Sequence, residues 1–202
     1  MLLLALPMLA LAAPGARTDG VVPAVTRGEG SLSVWYDPTG LDASGFIAAG
    51  WLGLGQSVGV ELAAGAPLEG RALIAEARVA SPVLGARADP RLSIWGGVDY
   101  GRIDANDGGA LDTIWGELGL VAGLPVIDRV RIYAAATANG APDHGAINLW
   151  IEPAVGVSWR PQLSPKLAAL VGVEAWGSTD FESVTFGPLI TLGISGTSQA
   201  LR

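Results

Sequence analysis

Ten stretches of this chain alternate apolar and polar residues with a period of two, and that pattern limits what the chain can fold into. A period of two belongs to the β-strand, whose successive side chains point to opposite faces. The clearest stretch is 91–101. Leu92, Ile94, Gly96, Val98 and Tyr100 fall on one face, and Arg91, Ser93, Trp95, Gly97 and Asp99 on the other. The same reading holds for 112–122, 129–138, 146–160 and 166–176, and more weakly for 30–36, 45–54, 57–64, 71–80 and 184–195. Outside the N-terminus no uncharged run approaches the roughly 18 residues that a membrane-spanning helix needs.

The connections between these stretches also alternate. Those at 37–44, 65–70, 102–111, 139–145 and 177–183 are rich in Asp, Gly, Ser and Asn; those at 55–56, 81–90, 123–128 and 161–165 are short or marked by proline. Both kinds are turn signals. Their alternation predicts an up-and-down antiparallel sheet in which every second connection lies at the same end. The charges follow: the first set and its margins are acidic, the second set, with Arg87, Arg91, Arg129, Arg131, Arg160 and Lys166, basic.

Composition narrows the function. Charged residues are 15% of the chain, against about 25% in average usage, and apolar residues 50%, which excludes disorder. There is no cysteine and one histidine, so a disulfide scaffold, a thiolate metal site, a Cys–His pair and a His-rich metal site are all excluded. A net charge of −7 argues against nucleic acid as a partner. No metal and no cofactor are expected.

The first 13 residues, MLLLALPMLALAA, are uncharged, too short to span a membrane, and carry the A-x-A form of a signal-peptidase site at Ala10-Leu11-Ala12. The organisation expected is a signal peptide over 1–12, a flexible lead over 13–29, a β-barrel over 30–196 and a short tail over 197–202.

A sheet with one apolar and one polar face can bury either. In a soluble sandwich or lipocalin-like barrel the apolar face is inside; in a membrane barrel it meets lipid and the polar face lines the interior. Three observations favour the second. The apolar face carries almost no charge in mid-strand. The polar face holds six of the seven tryptophans, Trp35, Trp51, Trp95, Trp115, Trp150 and Trp176, beside Glu61, Glu76, Arg78, Asp99, Glu117, Arg129, Arg131, Glu152, Arg160 and Glu174. Exposed tryptophan is disfavoured, whereas a narrow interior would use bulky and charged side chains as filling. The aromatics of the apolar face sit at strand ends: Tyr36, Phe46, Tyr100 and Phe186 at the acidic end, Trp159 at the basic end. Two girdles at the membrane interfaces have this arrangement.

With those residues in view, 30–196 resembles the small bacterial outer-membrane β-barrels of eight to ten strands. The resemblance is one of pattern, without a signature motif. It implies an all-β, up-and-down antiparallel transmembrane barrel of about ten strands, with eight strands or a soluble β-barrel or sandwich as alternatives. It further implies an outer-membrane location, membrane lipid as the surrounding partner, termini on the periplasmic side and a monomer. The role expected is structural, surface-interacting or small-solute permeation, with the Trp side chains and a Glu/Asp–Arg network filling the lumen. The alternative is a secreted soluble barrel that binds a small ligand in a Trp/acidic pocket.

Catalysis is not expected. Asp143 and His144 share a Gly/Pro-bearing loop and read as solvated turn residues, and no histidine falls on a strand. The turn at 104–109 has cation-ligand residue types but not EF-hand spacing. N-terminal sequencing of the protein from an envelope fraction should begin near Ala13; a retained leader would remove the signal-peptide reading.

Overall fold

In a computed structural model, the described residues are 29–36, 45–53, 58–67, 72–86, 89–104, 110–127, 129–143, 145–179 and 184–197. The expected signal peptide, most of the lead, the tail, the 104–109 turn beyond Asp104 and His144 lie outside them. The strands are β1 (Glu29–Tyr36), β2 (Gly45–Gly53), β3 (Gly59–Pro67), β4 (Ala72–Ala86), β5 (Asp89–Asp104), β6 (Ala110–Ile127), β7 (Val130–Asp143), β8 (Ala146–Trp159), β9 (Gln162–Ser164), β10 (Leu167–Thr179) and β11 (Val184–Thr197). β9 is a three-residue stub on β10. The other ten each pair antiparallel with two neighbours, and the pairings of β10 with β11 and of β11 with β1 close the ring. The fold is therefore a closed up-and-down barrel of ten strands.

Closure has a measurable stagger. The register partners of Gly196 run through Gly30, Leu52, Val60, Val79, Gly96, Leu118, Ala138, Ile151 and Thr179 and return to β11 at Val184. One circuit thus shifts the register by twelve residues, from 196 to 184. Ten strands with that shift tilt by about 40° and set a backbone radius of roughly 10 Å. Such an interior is narrow enough for inward-pointing side chains to fill.

The strands exceed the stretches read from sequence. Segments 81–90, 123–128 and 139–145, expected as connections, are mostly strand: β4 runs to Ala86, β6 to Ile127 and β7 to Asp143. The prolines in them do not end pairing, because two sit at register shifts, Pro82/Leu84 and Pro125/Ile127. A bulge absorbs a residue that cannot donate to the ladder. The turns left over are tight, and two of their residues take left-handed backbone: Arg129 at φ 64° and Gly145 at φ 89°. Gly145 is suited to that conformation.

Burial alternates along the well-described strands, except over the first six residues of β8, which are exposed or half-buried throughout. On β6, Trp115, Glu117, Gly119, Val121 and Gly123 are buried, while Ile114, Leu118, Leu120, Ala122 and Leu124 are exposed. Among the described residues, twenty-eight large apolar side chains are exposed, from Leu32 on β1 to Ile194 on β11. Charged side chains on the outer face of the strands, again among the described residues, occur only near one rim, as Arg102 and Asp112. A cysteine pair at Val34 and Leu192, outward-facing register partners across the closing seam, checks the ring. Oxidised V34C/L192C should form an intramolecular disulfide that blocks the shift in gel migration on heating; failure to cross-link would leave the seam open.

Candidate functional site: the charged interior

The inner face carries the chemistry. Glu61, Glu76, Asp99, Glu117, Glu152 and Glu174 are all buried, as are Arg78 and Arg131. Arg160 is half-buried in the link after β8. Arg129 is different. The alternation of the sequence puts it in phase with Arg131, but β7 begins at Val130, and the left-handed backbone at Arg129 turns its side chain out to an exposed position. Its backbone carbonyl accepts from Arg160 N at 2.9 Å. Of the aromatics, Trp95, Trp115 and Trp176 are buried and Trp150 is half-buried, whereas the side chains of Trp35 and Trp51 lie outside the described residues. The side chain of Arg91 does too.

Arg78 is the centre of the ion pairing. It grips both oxygens of Glu117, with Nη2 to Oε2 at 2.6 Å and Nε to Oε1 as the second arm. Its Nη1 donates to Glu61 Oε1 at 3.4 Å, and Glu76 Oε2 stands 3.8 Å from Nη2. A bidentate guanidinium–carboxylate pair is the strong form of this contact. Glu61 is the register partner of Arg78 on the next strand, but Glu117 is two strands away, beyond Gly97. A Cβ on Gly97 would lie 2.7 Å from the Ala77 carbonyl and 2.8 Å from Arg78 Cγ. The glycine leaves the gap through which the pair forms.

The same device recurs twice. Tyr133 lies across Gly156, where a Cβ would overlap its ring, and its hydroxyl donates to Glu174 Oε2 at 2.9 Å on the strand beyond. Trp95 lies across Gly119, whose other partner is Thr137, and a Cβ there would overlap the indole. Large side chains therefore cross a glycine to reach the second strand over.

The tryptophans of the inner face differ in their bonding. Trp150 Nε1 donates to Glu152 Oε1 at 3.0 Å, and the Trp150 and Trp115 rings lie 6.3 Å apart at 54°. The indole nitrogens of Trp95 and Trp176 have no hydrogen-bond partner among the described residues. Glu174 takes its bond from Tyr133 instead. Sequence reasoning did not single out Tyr133, Thr137 or Asn139; their phase with the polar face was the available signal for the first two, while Asn139 fell in a segment read as loop.

At the rim of the 37–44 connection, Tyr36 and Tyr100 are half-buried on the outer face, and Tyr100 donates to Asp112 at 2.6 Å beside Arg102. Trp159 is half-exposed towards the rim where β1 begins and β11 ends. The side chains of Phe46 and Phe186 lie outside the described residues.

No protein-family model matches the chain, and no curated protein matches it. Solved structures do match it. They include a NanC porin structure, 8% identical, TM-score 0.41, covering 83% of this chain and 99% of that one. Another is the outer membrane protease OmpT from Escherichia coli, 9% identical, TM-score 0.43, with 85% and 94% covered. A third is Ail, the attachment invasion locus protein of Yersinia pestis, 10% identical, TM-score 0.25, with 85% and 99% covered. At such identities the role has to be read from this chain's own residues.

Three substitutions test the interior. Gly119→Ala places a methyl in the Trp95 ring and should cost about 1–3 kcal/mol, read as a lower urea midpoint; Gly116→Ala, with open space around its Cβ, should be neutral. Arg78→Leu strands buried carboxylates and should cost roughly 3–5 kcal/mol. Equal behaviour of the two glycine variants would overturn the tight interior.

Proposed function

We propose that the chain is an integral outer-membrane β-barrel whose filled interior makes it a closed structural and surface-presenting element, with neither pore nor catalytic activity. The observation that carries this reading is an inversion: leucine, isoleucine and valine are exposed around the barrel while glutamate and arginine are buried inside it. A soluble monomer rarely shows a contiguous apolar patch above about 300–600 Å², whereas here apolar side chains surround the whole barrel. Lipid is the solvent that fits such a surface. On β6 the outward apolar positions run from Ile114 to Val126. At about 3.3 Å per residue and a tilt near 40° that band is roughly 30 Å tall, the scale of a hydrocarbon core. Tyr36 and Tyr100 near one rim and Trp159 near the other suit interfacial girdles. Ring closure supports the reading further, because an open strand edge is not tolerated in lipid.

The closed character follows from burial of the inner side chains. Trp95, Trp115, Tyr133, Trp176, Arg78 and the glutamates are each at least nine-tenths buried, which leaves them little contact with water. Eight to ten strands usually give an interior just wide enough for side chains. The non-enzymatic reading rests on the sequence, which has no cysteine and a single histidine. Under this proposal the termini and Arg129, Arg160 and Lys166 face the periplasm, and the 37–44, 68–71, 105–109 and 180–183 connections face outward.

The protein should fractionate with the outer membrane and migrate faster in SDS gels unheated than boiled. Recovery from periplasm without detergent would overturn the membrane reading in favour of a soluble binding barrel. In planar bilayers the protein should give no conductance steps; discrete steps would replace the closed barrel with small-solute permeation.

A further inference from the structure

Among the described residues, the ladder between β8 and β10 is interrupted without a bulge. The ladder between β8 and β10 keeps register from Val171↔Trp159 to Trp176↔Ala154, skips Gly177 and Ser178 opposite Pro153 and Glu152, and resumes at Thr179↔Ile151. The register does not shift across the gap, so no residue has been inserted; two pairings are missing instead. Pro153 has no N–H to give, and its pairing with Ala136 on the other side, in β7, is uninterrupted. On the far flank of β10, Pro188 of β11 pairs with Ala175, so prolines bracket the same end of β10.

The chemistry on the two sides of this break points to one kind of molecule. Outside, Val155, Val173 and Ala175 are exposed and apolar. Immediately inside stands Trp176, buried against an apolar cluster that includes Ala154 and Leu189. Two buried donors behind the break lack an acceptor among the described residues: the Trp176 indole N–H and the hydroxyl of Thr137, the register partner of Glu152. Buried donors without an acceptor are uncommon in folded proteins. An apolar chain carrying a carbonyl would match both the apolar passage and the donors, whereas an anion would meet Glu152 and Glu174.

We propose that the break at Pro153 is a lateral entry by which a lipophilic molecule with an ester or amide carbonyl reaches Trp176 from the bilayer. The proposal rests on the membrane-barrel reading. Entry requires β8 and β10 to part, because the inner side chains are buried when the wall is shut.

The test uses the full chain folded in detergent micelles, with the methyl ester of cis-parinaric acid as probe and energy transfer from tryptophan as the signal. Val155 and Ala175 are outward-facing register partners beside the break, and the chain has no cysteine, so V155C/A175C can be locked and unlocked by oxidation and reduction. Wild type and reduced V155C/A175C should show saturable transfer. The oxidised form, and Pro153→Val, which restores a ladder donor, should bind about tenfold more weakly or worse. Equal transfer in the oxidised and reduced forms, or only linear partitioning in wild type, would overturn the entry. Heat-modifiable migration of each variant reports the barrel separately, so loss of the entry is distinguishable from loss of the membrane reading. Competition by a dibrominated-chain phosphatidylcholine assigns the site to bilayer lipid, and its absence assigns it to a free lipophilic solute.

Discussion

Backbone hydrogen bonding is the constraint on which the rest depends. A sheet that exposes leucine and valine around its outside cannot leave a strand edge there without stranding polar backbone in an apolar medium. Pairing of β11 with β1 removes the edge. Closure then fixes the geometry: ten strands and a stagger of twelve residues set the radius, and the radius sets how much side chain fits inside. Everything found in the interior is a response to that small volume.

The response is economical in backbone. Arg78 reaches Glu117 past Gly97, Tyr133 reaches Glu174 past Gly156, and Trp95 lies over Gly119. In each case the middle strand gives up a side chain so that a large one from its neighbour can occupy the space. The glycine content of the chain is thus partly a packing device rather than a matter of turns. The charges obey the same limit. A buried carboxylate is costly unless paired and hydrogen-bonded, and the bidentate Arg78–Glu117 contact and the Tyr133 and Trp150 bonds to Glu174 and Glu152 meet that need with short reaches.

Much of the barrel was legible in the sequence because its main signal is local. Alternation depends only on neighbouring residues, so the two faces of 91–101 or 166–176 could be assigned without knowing what they pack against. Strand ends were less legible. Proline reads as a stop, yet Pro82 and Pro125 sit in bulges of longer strands, since pairing with a partner strand outweighs the local signal. Arg129 was misplaced for a related reason: its phase matched Arg131, but its own left-handed backbone, in a turn before β7, took it out of the strand.

The sequence by itself determined that this chain makes two-faced antiparallel strands, and which residues share each face, because side-chain direction follows from a period of two. It also determined that the charges and tryptophans lie together. Only the tertiary structure decided that the sheet closes, by how much it is staggered, and which partners meet across the interior. Those contacts join residues two strands and about forty positions apart, such as Arg78 with Glu117 and Tyr133 with Glu174. No local pattern encodes them; they exist because closure brings the strands round and a glycine leaves room between.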